Sequence, residues 1–401
     1  MKTDPTDDFK RPSRAFMSDM GSDYDRRRFL QAAGIAGVAG LAGCTGGPED
    51  DGGNGTGDGA GDDDGAGDDS ADDDGGNGTA ETNVGMVYAL GGLGDESFND
   101  AAQRGIIDAA EDFDVAYDES QPADAGEFSQ FQRLYAESAD PNYDLVSCIG
   151  FAQLDALSEV APDFPEQNFM LVDDNLDEPN VASYEFKEEE GSFLVGALAA
   201  LLSSRSFSAG AGETASDSTN VGFVGGVDAP LIRRFQAGYE AGVDYVSDDI
   251  DVITSYVGDF ADPSGGQEAA LSMYESGADV VYHAAGGSGV GVFQAAQDQG
   301  RFAIGVDSDQ SLTEPDFADV ILASMVKRVD SAVYESVENV VNDEFQGGSQ
   351  VELGLEDEGV SCVYGNGIGD EIPEEVKTEI DEIRDGIIAG DIVVPDDPDD
   401  V

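Results

Sequence analysis

The 401-residue chain has no tryptophan, one histidine, three cysteines and 18 basic residues against 86 acidic ones. Each shortage closes a class of function. With His283 as the sole imidazole, a histidine-built metal site or a histidine-dependent nucleophilic triad is nearly closed off. Three cysteines cannot staple a chain of this length. Cys148 and Cys362 lie inside apolar runs and read as small buried hydrophobes, with a bond between them left open. The basic residues are scarcer than their total suggests, because seven lie before Cys44 and only three lysines, Lys187, Lys327 and Lys377, follow it. With no basic patch to neutralise phosphates, nucleic acid is not expected as a partner. The N-terminal apolar stretch is about a dozen residues, too short for a bilayer core of ~30 Å.

What is present is acid, for a formal net charge of −68. Net charge bears on solubility and partners rather than on fold. Such a surface repels itself in dilute buffer and is largely screened in molar salt, where the Debye length is ~3 Å. The composition is that expected of an extreme halophile, and a halophilic archaeon is the expected source.

Near the N-terminus, Asp25-Arg26-Arg27-Arg28-Phe29-Leu30-Gln31 precedes a Gly/Ala-rich apolar stretch that ends in Leu41-Ala42-Gly43-Cys44. A twin-arginine pair, a short apolar region and a cysteine in that order read as a Tat-type export signal closed by a lipobox. Cys44 is then the lipidated first residue of the mature chain. The competing reading is an uncleaved N-terminal anchoring helix. Either way the bulk of the chain is expected outside the cytoplasm and tethered to a membrane; on the lipobox reading it is lipid-anchored on the extracellular face of the cell membrane. Residues 45–83 carry 13 acids, no base and almost nothing apolar. They cannot bury a core and read as a disordered, self-repelling tether with two glycosylation sequons, at Asn54 and Asn77.

Order is expected from Val84. Short Val/Ile-rich runs then alternate with helical patterns, as in strands buried on both faces of a parallel sheet. Runs at Val84–Ala89, Val115–Tyr117, Leu145–Gly150 and Phe169–Val172 are echoed by runs at Val221–Gly225, Val252–Tyr256, Val280–Tyr282, Ala303–Val306 and Val320–Ser324. Helical patterns lie at Phe98–Phe113, Gly126–Ser138, Pro230–Val246 and Gly265–Ser276. The restart implies an α/β fold of two similar lobes, with the break near Ser203–Asn220 and a ligand cleft at the C-terminal ends of the strands. The expected division is a signal over 1–43, a linker over 44–83, a first lobe over 84–207 with a return segment near 312–345, a second lobe over 208–311 with a segment near 346–395, and an acidic tail over 396–401.

Several residues stand at strand ends with chemistry to offer. Asp307 follows Ala303–Val306; its carboxylate can accept from vicinal hydroxyls such as those of ribose, or it is a helix cap or hinge residue. Lys327 ends an apolar run in a chain nearly purged of lysine. It reads either as a donor into the cleft or as a surface lysine paired with Asp330. Phe98, Phe260 and Phe151 follow strands and can stack on a flat ring, although for any one aromatic a place in the core is the commoner fate. Asp95, Asn99 and Asp173 can read the edge of a base, with Asn99 equally able to cap the local backbone. Gly286-Gly287-Ser288-Gly289 lacks the lysine of a phosphate loop, and Gly287 reads as backbone approaching an uncharged sugar. His283 reads as core.

The strand-end segments resemble the basic membrane protein family of lipoprotein solute receptors, which includes purine nucleoside receptors. The landmarks are Gly94-Asp95-Glu96-Ser97-Phe98-Asn99, Val172-Asp173, Glu190-Gly191-Ser192-Phe193, Gly222-Phe223-Val224-Gly225-Gly226, Ala284-Ala285-Gly286-Gly287-Ser288-Gly289, Ile304-Gly305-Val306-Asp307-Ser308-Asp309-Gln310 and Ser324-Met325-Val326-Lys327. The resemblance covers almost all of 84–395. It implies a type I periplasmic-binding fold, two Rossmann-like lobes joined by three crossovers, and delivery of ligand to an ABC permease. It also implies that Asp307 grips ribose and that Lys327 lies at the sugar. The resulting expectation is a monomeric, membrane-tethered nucleoside-binding protein without a cofactor or metal. Riboflavin, a pentose or another furanose in the same cleft is the first alternative, and a tethered nucleoside hydrolase the second.

Overall fold

The computed structural model describes residues 82–215 and 218–401. The signal, the lipidation residue Cys44, both linker sequons and nearly all of the acidic linker lie outside the described residues.

Two six-stranded sheets are built by one repeated pattern. In the first, β1 (Thr82–Val87), α1 (Phe98–Asp112), β2 (Val115–Ser120), α2 (Phe128–Ala136), β3 (Leu145–Cys148), α3 (Leu154–Val160), β4 (Asn168–Val172) and β5 (Val181–Phe186) follow in order. After α4 (Glu188–Ser203) and a small hairpin of β6 (Ser208–Ala209) and β7 (Gly212–Glu213), the pattern runs again. It comprises β8 (Asn220–Gly225), α5 (Pro230–Val246), β9 (Asp251–Tyr256), α6 (Pro263–Glu275), β10 (Ala278–Ala284), α7 (Val290–Gln299), β11 (Phe302–Asp307), α8 (Gln310–Thr313) and β12 (Ile321–Lys327). The chain closes with α9 (Val329–Val341), β13 (Gln350–Leu353), β14 (Val360–Tyr364) and α10 (Glu374–Ile388). The sheet orders are β13-β5-β4-β3-β1-β2 and β14-β12-β11-β10-β8-β9. All pairings in the two sheets are parallel except β12 with β14. This is the type I periplasmic-binding fold, with strands buried under helices on both faces as their continuous apolar runs require.

The lobe boundaries differ from those expected. The first crossing is at Lys187, not near 208, because α4 is apolar all round and needs cover on every side. It packs on the second sheet and along α5. The two helices meet backbone to backbone: a Cβ added at Gly196 would lie 2.2 Å from the Tyr239 carbonyl oxygen, so only glycine allows that approach. Leu198 within α4 is fully buried, and cutting such a leucine to alanine costs roughly 2–5 kcal/mol. The segment near 312–345 is also divided. β12 pairs with β11 in the second sheet, and only α9 crosses back, to lie on α1. β13 joins the first sheet beside β5, so the second lobe resumes only with β14. At the start, β1 takes in Thr82 and Asn83, which had read as linker. At the end, the turn Pro398–Asp400 lies against α5 rather than forming a free tail. Cys148 and Cys362 are both free, on strands of different sheets.

Candidate functional site

The C-terminal strand ends of the two lobes face each other across a cleft of about 800 Å³. Asp95, Phe98, Asn99, Phe151 and Asp173 line it from the first lobe, and Phe260, Asp307 and Lys327 from the second. Gly287 is not in the lining; its neighbour Gly286 is. A side chain at 287 would come within 3.7 Å of the Asp95 Cα, so Gly287 sits where the loops of the two lobes converge.

The lobes touch at the mouth. Ser97 Oγ donates to Asp307 Oδ2 at 2.5 Å, Gln310 Nε2 donates to the Glu96 carbonyl at 3.1 Å, and Arg104 Nη2 donates to Ser308 Oγ. The same Gln310 holds His283 Nε2 at 3.0 Å and accepts from the Val306 backbone N–H. His283 is fully buried, and burial pushes its pKa down to about 4. It is a core residue that props the latch, as its apolar run suggested.

The charged end of the cleft is built around Lys327. Its ammonium lies 2.7 Å from the Asp173 carboxylate and 3.1 Å from Glu188 Oε1, with all three side chains almost wholly buried. The rings of Phe98, Phe186 and Phe235 stand 5.0, 5.2 and 5.5 Å from the ammonium, a cation–π enclosure on three sides. A pairing with Asp330 is not made; Arg328 holds that carboxylate at 2.9 Å. Burial works against the lysine's charge, but Asp173, Glu188 and Asp307 outweigh it and hold its pKa above the usual value. The carboxylates show the converse. Burial raises the pKa of Asp173 and of Asp307, against the pull of Lys327, and raises Glu188 to about 8.

Asp173 and Asp307 are also special in their backbone, with φ of 71° and 62°. Left-handed geometry costs a non-glycine residue about 1–3 kcal/mol and is held only where the surroundings enforce it. Here it turns both carboxylates off their strands and into the cleft.

Asp95 and Asn99 are differently employed. Asp95 accepts from the backbone N–H groups of Ser97, Asn99 and Asp100, which caps the first turn of α1. Burial lifts its pKa to about 6 in spite of those three bonds. Asn99 accepts from the Ala89 N–H and donates to the Gly92 carbonyl, fixing the loop after β1. Their polar edges are committed to backbone. Phe98 and Phe260 line the cleft from opposite lobes, and Phe260 rests over Gly226, where a Cβ would strike its ring.

Three participants escaped the sequence reading. Phe186 and Phe235 lie within a strand and a helix whose patterns give no hint of a cleft. Glu188 opens a run of three glutamates in a chain where acids are everywhere.

The residues matched by the Bmp family model, described as ABC transporter substrate-binding protein PnrA-like, are 82–397. The chain belongs to the Bmp family. It is similar to the CD4+ T-cell-stimulating antigen of Listeria monocytogenes, 36% identical over 331 residues, covering 79% of this chain and 88% of that protein. It is similar to the ABC transporter nucleoside-binding protein BmpA of Lactococcus lactis, 31% identical over 346 residues, covering 81% and 92%. Among solved structures it resembles an ABC transporter solute-binding protein from Aeropyrum pernix, with TM-score 0.70, 31% identity and coverage of 79% and 95%. As a Bmp-family protein the chain is an ABC transporter substrate-binding protein, and the L. lactis relative and the A. pernix structure, whose names state a role, are solute-binding proteins.

Proposed function

We propose that this Bmp-family protein captures a nucleoside, with a purine base preferred, and hands it to its permease from the outer face of the membrane, tethered through Cys44. The observation that carries the ligand reading is what the cleft brings together. Phe98 and Phe260 line it from opposite lobes, suited to clasp a flat ring. The Asp307 carboxylate and the Lys327 ammonium line it too, the ammonium beside Phe98, and are suited to vicinal hydroxyls. A base–aromatic stack contributes ~1–3 kcal/mol, and a hydrogen bond to a charged group ~1.5–3 kcal/mol. The L. lactis relative named as nucleoside-binding supports the same reading. The tether rests on the twin-arginine and lipobox residues alone.

Calorimetry in molar KCl with inosine, guanosine, adenosine, free bases and ribose tests it. Nucleosides are expected to bind well and ribose and bases poorly. Ribose binding as tightly as a nucleoside would sink the reading. A release of the protein from membranes on Cys44→Ser, and cytoplasmic retention on replacing Arg26 and Arg27 by lysine, are the outcomes expected of the tether.

A further inference from the structure

Glu188 is the first residue of α4, directly after the first crossing between lobes. It does not line the cleft. It holds the one lysine that does, and the two contacts of that lysine differ in kind. Lys327 and Glu188 both belong with the second sheet, so their 3.1 Å contact lies within one lobe. Lys327 and Asp173 stand on different lobes, so their 2.7 Å contact exists only while the cleft is shut. We propose that Glu188 is a positioning residue: it seats the Lys327 ammonium in the second lobe, and when the lobes shut and Asp173 reaches the same ammonium, Glu188 takes up a proton from solvent. This rests on the cleft being the ligand site.

The geometry asks for that proton. In the shut form Glu188 faces Lys327 from β12 and Arg234 from α5, whose guanidinium is 4.0 Å from Oε2 and one-third exposed. Against these two cations stand Asp173 beyond β4, Asp307 at the end of β11 and Glu188 itself. Glu189 and Glu185 add negative potential from α4 and β5, and the Tyr282 hydroxyl on β10, bonded to Ser192, stays neutral. Two buried carboxylates, Asp173 and Glu188, share one buried ammonium, while Asp307, bonded to Ser97 and under the pull of Arg104 as well, adds negative potential without pairing with it; an unpaired buried charge is far costlier than a protonated acid. Among the described residues Glu188 Oε2 has no hydrogen-bond partner, so that oxygen can carry the proton without losing a bond. With the lobes apart, Asp173 is gone, and Glu188 has the Lys327 ammonium as an undivided partner, with Arg234 beyond it.

The sign follows from linkage. Shut, Glu188 is raised from its ordinary 4.5 to about 8, by burial above all and then by the nearness of Asp173, against the pull of Lys327; the loss of Asp173 on opening lowers it. Closure therefore binds a proton below about 8, and ligand affinity falls as pH rises towards 8 and levels off above it. Glu189, itself lifted by burial to about 7, is the neighbour to control for.

Titrating the protein with inosine at pH 7 in two buffers of different ionisation heat counts the protons. The parent is expected to take up close to one per ligand, and its affinity to fall about tenfold or more from pH 6 to pH 8. Glu188→Gln, which mimics the protonated acid, is expected to take up none and to keep its affinity within about twofold over that range. Glu189→Gln is expected to behave as the parent. A role confined to structure would weaken Glu188→Gln equally at every pH. The inference fails if the parent takes up no proton, or if Glu188→Gln takes up as many. Small-angle scattering of the ligand-free protein supplies an arm that needs no ligand. Its radius of gyration is expected to grow from pH 6 to pH 9 in the parent and to stay constant in Glu188→Gln, or in Asp173→Asn should the first variant not fold. If no nucleoside binds, the ligand reading fails while scattering still decides this one, and a radius independent of pH overturns it.

Discussion

The two lobes finish their fourth strands alike and then treat the result differently. β4 runs into Asp173 and β11 ends in Asp307; both aspartates have positive φ and both turn into the cleft. Asp173 meets an ammonium from the opposite lobe, and its charge is matched in place. Asp307 meets the Ser97 hydroxyl, a neutral donor that leaves acceptor capacity over. The fifth strands diverge in the same way. Asp307 lies opposite Val326, and Val172 opposite Tyr184, so Phe186 stands in the first lobe where Lys327 stands in the second. A duplicated plan thus carries two carboxylates that both reach the opposite lobe, one matched by an ammonium and one by a hydroxyl that leaves acceptor capacity over.

The largest effect should come from removing the cation that makes the lobes unlike. Lys327→Met leaves Asp173 and Glu188 buried without their partner. It is expected to cost roughly 3–5 kcal/mol of stability, read by denaturant unfolding in molar salt. A loss below about 1 kcal/mol would mean that the lysine does not hold the cluster together. Next is Asp307→Ala, expected to weaken nucleoside binding by about tenfold or more with little change in unfolding. Asp173→Ala should instead disturb both. If the two aspartates responded identically, the division between them would be wrong. Phe260→Ala is expected to weaken nucleosides by ~1–3 kcal/mol and leave any ribose binding untouched. The smallest effect is that of Ser97→Ala. It removes a bond across the mouth and is expected to weaken all ligands by a similar few-fold factor, chiefly by faster release, as stopped-flow would show.

Much of this plan was legible in the residues. Val/Ile-rich runs located nine strands: seven are covered on both faces and must be apolar nearly throughout, while the edge strands β2 and β9 are partly exposed and showed only in short apolar stretches. The aspartate and lysine at strand ends were legible by position and by the rarity of lysine. β5 was not, since Ser183 and Glu185 break its run, and neither were β13 and β14, short strands at sheet edges. The lobe boundary was misplaced because composition marks loops, whereas the crossing at Lys187 is set by which sheet α4 covers. Asp95 and Asn99 carried the right chemistry at the right place, but nothing in a sequence tells that their lone pairs and protons are already engaged by Ser97, Ala89 and Gly92. Glu188 was hidden by abundance: one glutamate among so many carries no signal until a lysine is seen beside it.

The three crossings between lobes bear on how the chain acquires its structure. The first sheet lacks its edge until residues 350–353 arrive, and the second until residues 360–364. Neither lobe is a contiguous stretch, so neither can be finished during synthesis while the other waits. The closing contacts are long in sequence separation, which slows folding and leaves unpaired strand edges exposed in the meantime. A truncation that removes only residues 365–401, including α10, therefore strips cover from α4 in the second lobe, and one reaching back past Gln350 unfinishes both sheets at once.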